Sequence, residues 1–394
     1  MKQNRNNDAI NHQIMNTIDD KWFTIEHRGQ EVVLIECSKE AKGEIVIPNG
    51  VTQIEEYAFC RIEGITSVVI PNSVTTIGID AFSGCNNLTY VVLPDSVKSI
   101  GAGAFGDCSS LTSITIPQSV ENIGECAFAD CSGLTSIVVE PENKHFDSRN
   151  NCNAIIETAE NMIIADCKNT IIPKGVTRIC VRGYRDCIFE INQRDEDICL
   201  EGCPENISLS VGDTVTIPNT ITSIAPSAFV LVDEVKTIII PNSVKIIRDE
   251  AFLNCYDLES IIIPDSVTTI GKGVFSGCSK LKSIIVSSGN PIYDSRNSCN
   301  AIFETKSNTL IAGCSQSTIP DSIESIVEFA FEHIELPLFV VPESVRNIDN
   351  YAFLNSYGSV FVPEKLAKNK QDLFGDDDYN YGDDCKVCSY KRLL

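Results

Sequence analysis

Cysteine and histidine are the first residues in this sequence whose side chains could bind a metal or act as nucleophiles and bases. The chain has 18 cysteines and 4 histidines among 394 residues. No histidine lies in a recognisable nucleophile or metal motif; the four are His12, His27, His145 and His333. Cys385 and Cys388 form a Cys-x-x-Cys pair, but the tail around them offers no further zinc ligands. Cys199 and Cys203 are an equally weak pair, so no metal or cofactor is predicted.

One cysteine recurs three residues after an aromatic residue, at Cys85, Cys108, Cys131, Cys187, Cys255 and Cys278. Metal sites need cysteines that converge on one point, whereas this spacing places thiols in a row. We therefore predict small buried thiols that pack inside a wall, with metal or redox chemistry as the alternative. Unpaired cysteines in such a row also suit a reducing compartment.

The tripeptide Asp-Ser-Arg occurs twice, at residues 147–149 and 294–296, and invites a catalytic interpretation. A turn explains it more simply. Asp and Ser side chains bond local backbone groups in turns, and the arginine pairs with a neighbouring acid. Since no phosphate-binding glycine loop is present either, the sequence does not predict an enzyme.

The recurring cysteines and the Asp-Ser-Arg segments lie within a repeat array. Residues 71–139 read PNSVTTIGIDAFSGCNNLTYVVL, PDSVKSIGAGAFGDCSSLTSITI and PQSVENIGECAFADCSGLTSIVV, three copies with a period of 23. A proline precedes an aromatic residue by eleven positions at Pro48, Pro71, Pro94, Pro117, Pro218, Pro241, Pro264, Pro320 and Pro342, and Pro173–Tyr184 is a degenerate copy. This period, with recurring Leu and Ile, is typical of a leucine-rich solenoid.

Within one turn, the alternation Leu111, Ile114, Ile116 predicts a short strand with its apolar side chains pointing inward. Val120, Ile123, Ala127 and Phe128 would complete the core of that turn. Proline ends the strand because it lacks an N–H, and glycine in the Ile-Gly pairs suits a tight bend or a positive φ. Stacked turns would build a parallel sheet with about 4.8 Å per turn.

A second, longer period is superimposed on the 23-residue repeat. FDSRNNCNAIIET (146–158) returns 147 residues later as YDSRNSCNAIFET (293–305), which predicts two super-units at about 71–217 and 218–364. Each would carry a long hairpin-bearing turn (141–173 and 288–320) and then irregular turns (180–213 and 333–363). Around them we expect a polar leader at 1–20, helical or disordered, and a hairpin cap at 21–44. The array runs over 45–363, followed by a cap helix within 362–374 and a loose acidic tail.

The formal net charge of −23 argues against binding to nucleic acid or to anionic membranes, which needs basic residues. The N-terminus has no apolar signal core, and no apolar run approaches the ~18 residues of a membrane span. By sequence alone the expected location is the cytoplasm.

The outward strand positions remain as candidates for binding. One column, two residues before each proline or its equivalent, comprises Val69, Val92, Thr115, Val138, Thr216, Ile239, Ile262 and Ile285. Its neighbour comprises Ser67, Tyr90, Ser113, Ser136, Thr214, Thr237, Ser260 and Ser283. Both lack charge, which fits either a surface for a protein or glycan or the simple preference of β-branched residues for strands.

The phrase IPxSVTxIGxxAFxxCxxLTSIxIP resembles the BspA-type leucine-rich-repeat family, also called the Treponema pallidum type, over residues 45–363. The resemblance implies a curved right-handed leucine-rich-repeat solenoid of the α/β horseshoe-like class, without catalytic activity. It also implies adhesion to host or bacterial surfaces, or to matrix proteins such as fibronectin, from the cell surface or after secretion.

The function expected from the sequence is thus a non-catalytic scaffold that binds a protein through Val69, Tyr90, Val92, Thr115, Val138, Thr216, Ile239, Ile262 and Ile285. The alternative is a surface adhesin for a host matrix protein or a glycan. The third and most remote alternative is an enzyme or metal protein that uses the Asp-Ser-Arg turns or the CKVC tail.

Overall fold

The structure, a computed structural model, describes residues 22–167, 169–181, 184–194, 196–203, 213–366, 372–373 and 385–390. The chain divides into two compact units, Met1–Arg185 (unit 1) and Asp186–Leu394 (unit 2). The predicted leader and most of the acidic tail lie outside the described residues.

Unit 1 begins with an antiparallel hairpin, β1 (Phe23–Arg28) and β2 (Glu31–Cys37). Its regular turns contribute a long-strand series, β3 (Gly43–Val46), β5 (Ile65–Val69), β7 (Tyr90–Val92), β9 (Ser113–Ile116) and β11 (Ser136–Val139). A short-strand series continues parallel from β2, with β4 (Gln53–Ile54), β6 (Thr76–Ile77), β8 (Ser99–Ile100) and β10 (Asn122–Ile123). The long turn and its successor hold β12 (Phe146–Asp147), a 3-10 turn (Arg149–Asn151), β13 (Ile155–Glu157), β14 (Met162–Ala165) and β15 (Arg178–Val181).

Unit 2 repeats this order. The hairpin β16 (Tyr184–Arg194) and β17 (Asp197–Gly202), which begins at the unit boundary, leads into the short strands β19 (Ser223–Ile224), β21 (Ile246–Ile247) and β23 (Thr269–Ile270). The long strands are β18 (Thr214–Thr216), β20 (Thr237–Ile239), β22 (Ser260–Ile263) and β24 (Ser283–Val286). The long turn holds β25 (Tyr293–Asp294), a 3-10 turn (Arg296–Ser298), β26 (Ile302–Glu304) and β27 (Thr309–Ala312). The remaining strands are β28 (Ser325–Ile326), β29 (Glu335–Val340), β30 (Asn347–Ile348), β31 (Tyr357–Pro363) and β32 (Cys385–Tyr390).

The predicted leucine-rich-repeat solenoid is confirmed, with parallel sheets and almost no helix among the described residues. Each regular turn carries a second, short strand where a horseshoe of the α/β class would have a helix. The inward positions predicted for one turn are all buried: Leu111, Ile114, Ile116, Val120, Ile123, Ala127 and Phe128.

Glycine in the Ile-Gly pairs serves close packing of turn on turn. At Gly101 a Cβ atom would lie 2.5 Å from the carbonyl carbon of Gly78, and at Gly124 it would lie 2.3 Å from the Ala102 nitrogen. Neither residue has a positive φ. Of the two predicted reasons for glycine, steric exclusion of a side chain is therefore the one that applies.

The repeated phenylalanines stack inside the solenoid. In unit 1 the ring centroids of Phe59 and Phe82 are 4.6 Å apart, those of Phe82 and Phe105 5.2 Å, and those of Phe105 and Phe128 5.6 Å. Phe229, Phe252 and Phe275 form the matching stack of unit 2. Phe331 and Phe353 add a third pair. Within each stack one ring covers the face of the next, so the stacked turns of that unit share an apolar interior.

The repeated cysteines form a thiol ladder beside these rings. Each Sγ donates to the carbonyl oxygen of the phenylalanine 26 residues earlier, at 3.0–3.2 Å, in the pairs Cys85–Phe59, Cys108–Phe82, Cys131–Phe105, Cys255–Phe229 and Cys278–Phe252. Burial raises the pKa of Cys85 to about 12. The predicted role as buried wall residues is confirmed for these five, whereas the side chain of Cys187 lies outside the described residues.

Two predicted segments differ from the structure. Tyr184 opens β16, so the segment predicted to be irregular, 180–213, contains an antiparallel hairpin. Val362 and Pro363 belong to β31, and Cys385–Tyr390 of the tail predicted to be loose pairs in parallel with β31. In both places strand pairing to a neighbour overrides a weak local signal. Residues 367–371 of the predicted cap helix lie outside the described residues, so that helix stays a prediction.

Replacing Phe252 by alanine should lower the free energy of unfolding by about 3–5 kcal/mol, because it removes a fully buried ring from the middle of a stack. Urea denaturation monitored by circular dichroism measures the change. The exposed Tyr256→Ala is the control and should cost less than about 1 kcal/mol. Equal losses in the two variants would contradict the shared interior.

The ladder thiols should resist iodoacetamide at pH 8 in the folded protein, since burial keeps the reagent away from them and, at Cys85, also raises the pKa so that almost no thiolate forms. Peptide mass spectrometry should find Cys85 and Cys255 unmodified, while the half-buried Cys60 is alkylated. In urea all three should react at similar rates. Alkylation of Cys85 in native buffer as fast as that of Cys60 would disprove an inert ladder.

Candidate binding faces

The outward columns lie on the long strands, and the strand register places equivalent residues side by side. In unit 1, Ser67 pairs with Tyr90 and Val69 with Val92, while on β9 and β11 Thr115 pairs with Val138. In unit 2, Thr216 pairs with Ile239 and Ile262 with Ile285. Each unit therefore presents one face, which we call the long-strand face.

The first column is half-exposed in both units. Its apolar members expose between 44% (Val69) and 56% (Ile262) of their surface, and Tyr90 of the second column exposes 53%. Thr115 and Thr216 are also exposed, whereas the serines and the other threonines of the second column are partly buried. The candidate residues thus point to solvent in each unit, as the alternation along a strand requires.

The borders of the two faces differ, which sequence reasoning did not anticipate. In unit 1 the residue just before the second column is always threonine, at Thr66, Thr89, Thr112 and Thr135. The hydroxyls of the last three donate to the carbonyl oxygen of the threonine one turn earlier, at 2.9–3.4 Å. In unit 2 the same position holds charges of alternating sign: Asp213, Lys236, Glu259 and Lys282.

The charged border of unit 2 is exposed and partly self-neutralising. Lys236 Nζ lies 3.3 Å from a carboxylate oxygen of Asp213 on the preceding turn. The ion pair is solvated on both sides, so it adds little to stability. Its effect is to give the long-strand face of unit 2 a polar, salt-sensitive rim that unit 1 lacks.

Two further exposed residues satisfy the proline rule that defines the first column, and the sequence prediction does not include them. Ile171 is two residues before Pro173 and Val340 two before Pro342, and they expose 66% and 51% of their surface. The same proline rule would have found both. Their turns depart from the 23-residue period, which hides them from a search at fixed spacing.

The Asp-Ser-Arg segments form identical structural clasps. Arg149 Nε lies 2.8 Å from Asp147 Oδ1 and its Nη2 2.6 Å from Oδ2, while the same Oδ1 accepts the Arg149 backbone N–H. The hydroxyl of Ser148 accepts the N–H of Val139 at 2.8 Å. Arg296 and Asp294 repeat the bidentate pair at 2.8 and 2.7 Å. The turn interpretation is confirmed, because both charged side chains are engaged in holding the loop.

The electrostatics agree with a clasp. Hydrogen bonding to Asp294 raises the pKa of the Arg296 guanidinium, so this arginine is always charged. Asp294 has a lowered pKa: burial opposes the shift, but hydrogen bonds from Arg296 and Thr305 overcome it. A carboxylate held ionised by its own neighbour is poorly suited to act as a general base.

In the part of the chain that the structure describes, the other candidates do not assemble into a site. Cys385 and Cys388 lie on one extended strand, whose rise separates their Cα atoms by about 10 Å, beyond the reach of a disulfide. Cys199 lies on β17, and the N–H of Cys203 just beyond that strand bonds to Ala228. Among the described residues no three His, Cys, Asp or Glu side chains come together as a metal site would need. The described part of the chain also has no helix that is both long and apolar enough to cross a membrane.

Several solved structures are similar to this chain. A leucine rich cell surface protein from Faecalibacterium prausnitzii A2-165 has 24% identity and a TM-score of 0.32, over 87% of this chain and 75% of the other. A leucine-rich repeat protein from Bacteroides ovatus has 22% identity and a TM-score of 0.33, over 95% and 100%. The T. pallidum leucine rich repeat protein has 21% identity and a TM-score of 0.28, over 66% and 88%. No curated protein matches the sequence.

The family comparison covers most of the chain. The model of the BspA type leucine rich repeat region matches in six copies, over residues 37–156, 208–305 and 307–379. These ranges include the regular turns of both units and the two clasps. The chain belongs to the BspA-type leucine-rich-repeat family.

Proposed function

We propose that the chain is a non-catalytic scaffold that binds a protein partner through its long-strand faces. The observation that carries this proposal is the half-exposed column of valines and isoleucines, uncharged on a protein of net charge −23. Charged residues are depleted at the centre of protein interfaces, and apolar patches with polar rims mark them.

The size of the column sets a limit on what it can do alone. Ile239, Ile262 and Ile285 together expose on the order of 200–300 Å², about a third of what one partner contributes to a specific interface. The partner must therefore also cover the serines and threonines of the second column and, in unit 2, the charged border. Burying the isoleucines would supply roughly 5–7 kcal/mol by area, before the costs of association.

A glycan is the second candidate, favoured by one feature of unit 1. The ring of Tyr90 is exposed between the hydroxyls of Ser67 and Ser113 and beside the threonine border, and the one carboxylate of this column, Glu44, lies beyond Ser67 on β3. A rigid aromatic ring beside neutral hydroxyls suits a ligand with both apolar and hydroxyl surface. An adhesin for a host matrix protein or a glycan is the corresponding alternative for the whole chain.

The double variant Ile239→Lys, Ile262→Lys should lose partner binding by at least ~100-fold, because two charges would have to be desolvated in the interface centre. Wild type and variant are immobilised and exposed to host matrix extract and to bacterial lysate, and the proteins retained by the wild type alone are identified. Their affinities for both forms are then measured by biolayer interferometry. A glycan array run with the same pair tests the second candidate.

Leu231→Lys with Tyr351→Lys is the matched control. It adds the same two charges at exposed positions of unit 2 that lie outside the long strands, and it should bind as the wild type does. Circular dichroism confirms that all three forms are folded. If the folded Ile239→Lys, Ile262→Lys variant bound every partner as well as the control, the proposed face would be wrong.

A further inference from the structure

The hairpin at the start of unit 2 matches the hairpin at the start of the chain. Residues 23–37 read FTIEHRGQEVVLIEC and residues 189–203 read FEINQRDEDICLEGC. Both run for 15 residues without a gap and share their first Phe, the Ile two residues on, an Arg at the tip, a central Leu and the final Cys. So few identities, placed off the 23-residue period, do not reveal the match without the structure.

The two hairpins have the same strand pairing. In β1–β2, Thr24 lies opposite Glu36 and Ile25 opposite Leu34, with a bulge between these pairs. In β16–β17, Glu190 lies opposite Gly202 and Ile191 opposite Leu200, again with a bulge between the pairs. A bulge at the same position of two hairpins is a specific feature of the fold, since bulges set where a strand bends.

Both hairpins are joined to their first turn by the same hydrogen bonds. The hydroxyl of Thr52 accepts the N–H of Val32 at 2.9 Å, and that of Thr222 accepts the N–H of Ile198 at 2.7 Å. The backbone N–H groups of the two threonines donate to the carbonyl oxygens of the same partners, at 2.8 and 2.9 Å.

The ends of the hairpins repeat the pattern too. Cys37 N donates to Ala58 O at 2.7 Å, and Cys203 N donates to Ala228 O at 2.8 Å. Beside these bonds, Leu34 and Leu200 are both fully buried.

The apolar contact is equivalent as well. Phe23 meets Phe59 edge-on at 6.3 Å and 65°, and Phe189 meets Phe229 edge-on at 6.1 Å and 71°. Within each stack the rings lie face to face, with interplanar angles of 3° for Phe82–Phe105 and 27° for Phe229–Phe252. An edge-on ring ends a stack, because it presents no face parallel to the next one. Each hairpin therefore closes the start of a phenylalanine stack.

We propose that Phe189–Cys203 is a second N-terminal cap, so that unit 2 is a solenoid that folds without the turns of unit 1. Repeat arrays need a cap because the first turn has no preceding neighbour to cover its interior. An internal cap is superfluous in a single continuous array, where the preceding repeat already does this. The chain is then a tandem of two capped solenoids.

One consequence rests on the proposed function. With two separately folded units, the threonine-bordered face and the charge-bordered face are two binding modules. A ligand with two sites could then gain avidity from the chain without a new contact.

The test uses the full chain and matched cap variants, Leu34→Ala and Leu200→Ala, followed by hydrogen exchange with peptide mass spectrometry. Leu200→Ala should speed exchange of protected amides at least ~30-fold in peptides from Val215 to Phe353 and leave those from Leu34 to Met162 unchanged. Leu34→Ala should do the reverse. Complete unfolding of unit 2 in Leu200→Ala, with unit 1 still protected, would support the proposal equally.

A milder pair of single variants, Thr52→Val and Thr222→Val, removes only the hydroxyl that joins the hairpin to its first turn. In each variant the faster exchange should again be confined to one unit, with smaller increases in rate. Faster exchange across both units in any single variant would overturn the proposal, since it would show one cooperative array. So would unchanged exchange in unit 2 of Leu200→Ala. None of these outcomes depends on binding, so a failure here is distinct from a failure of the proposed face.

Discussion

Turn-to-turn backbone hydrogen bonding at constant register is the constraint on which the rest of the structure depends. The N–H of Lys98 donates to the carbonyl of Thr75, and the N–H of Thr75 donates to that of Thr52, both at 2.8 Å. Since every turn must offer its groups at the same heights, each regular turn has the same length, and glycine stands where two backbones come closest. The stacked phenylalanines, the aligned thiols and the straight outward columns all follow from this register.

The same constraint explains why the residues with the most reactive chemistry are structural. A cysteine that recurs in register has a thiol beside a carbonyl of the preceding turn, so it becomes a buried hydrogen-bond donor, and at Cys85 the burial also raises the pKa of the thiol. The Asp-Ser-Arg segments lie where a longer turn leaves the register, and their charges close that loop. At the outward positions nothing in the stack fixes the side chain, and these are the positions to which partner binding is assigned in the proposed function.

Much of the fold could be predicted from the sequence, because turns that share the same interior packing carry the same residue types at the same spacing. The inward set around Leu111, the buried thiol row and the clasp at Asp147 all follow from spacing and residue type. The second hairpin could not be found this way, since its 15 residues share few identities with the first and Tyr184 mimics the end of another turn. The positions of the outward columns could be predicted, but the character of their borders could not. Thr89 and Lys236 occupy equivalent exposed positions, and either residue type is compatible with the strand there.

The regular turns before the clasp differ in number between the units: they begin at Pro48, Pro71, Pro94 and Pro117 in unit 1, but only at Pro218, Pro241 and Pro264 in unit 2. A turn that brings its own ring, thiol and hydrogen-bond partners can be inserted or deleted whole, and the turns on either side close up in register. Recombination between near-identical coding repeats makes this change in one step. The length of each face, in increments of about 4.8 Å, is then a property that evolution can adjust without redesigning the interior.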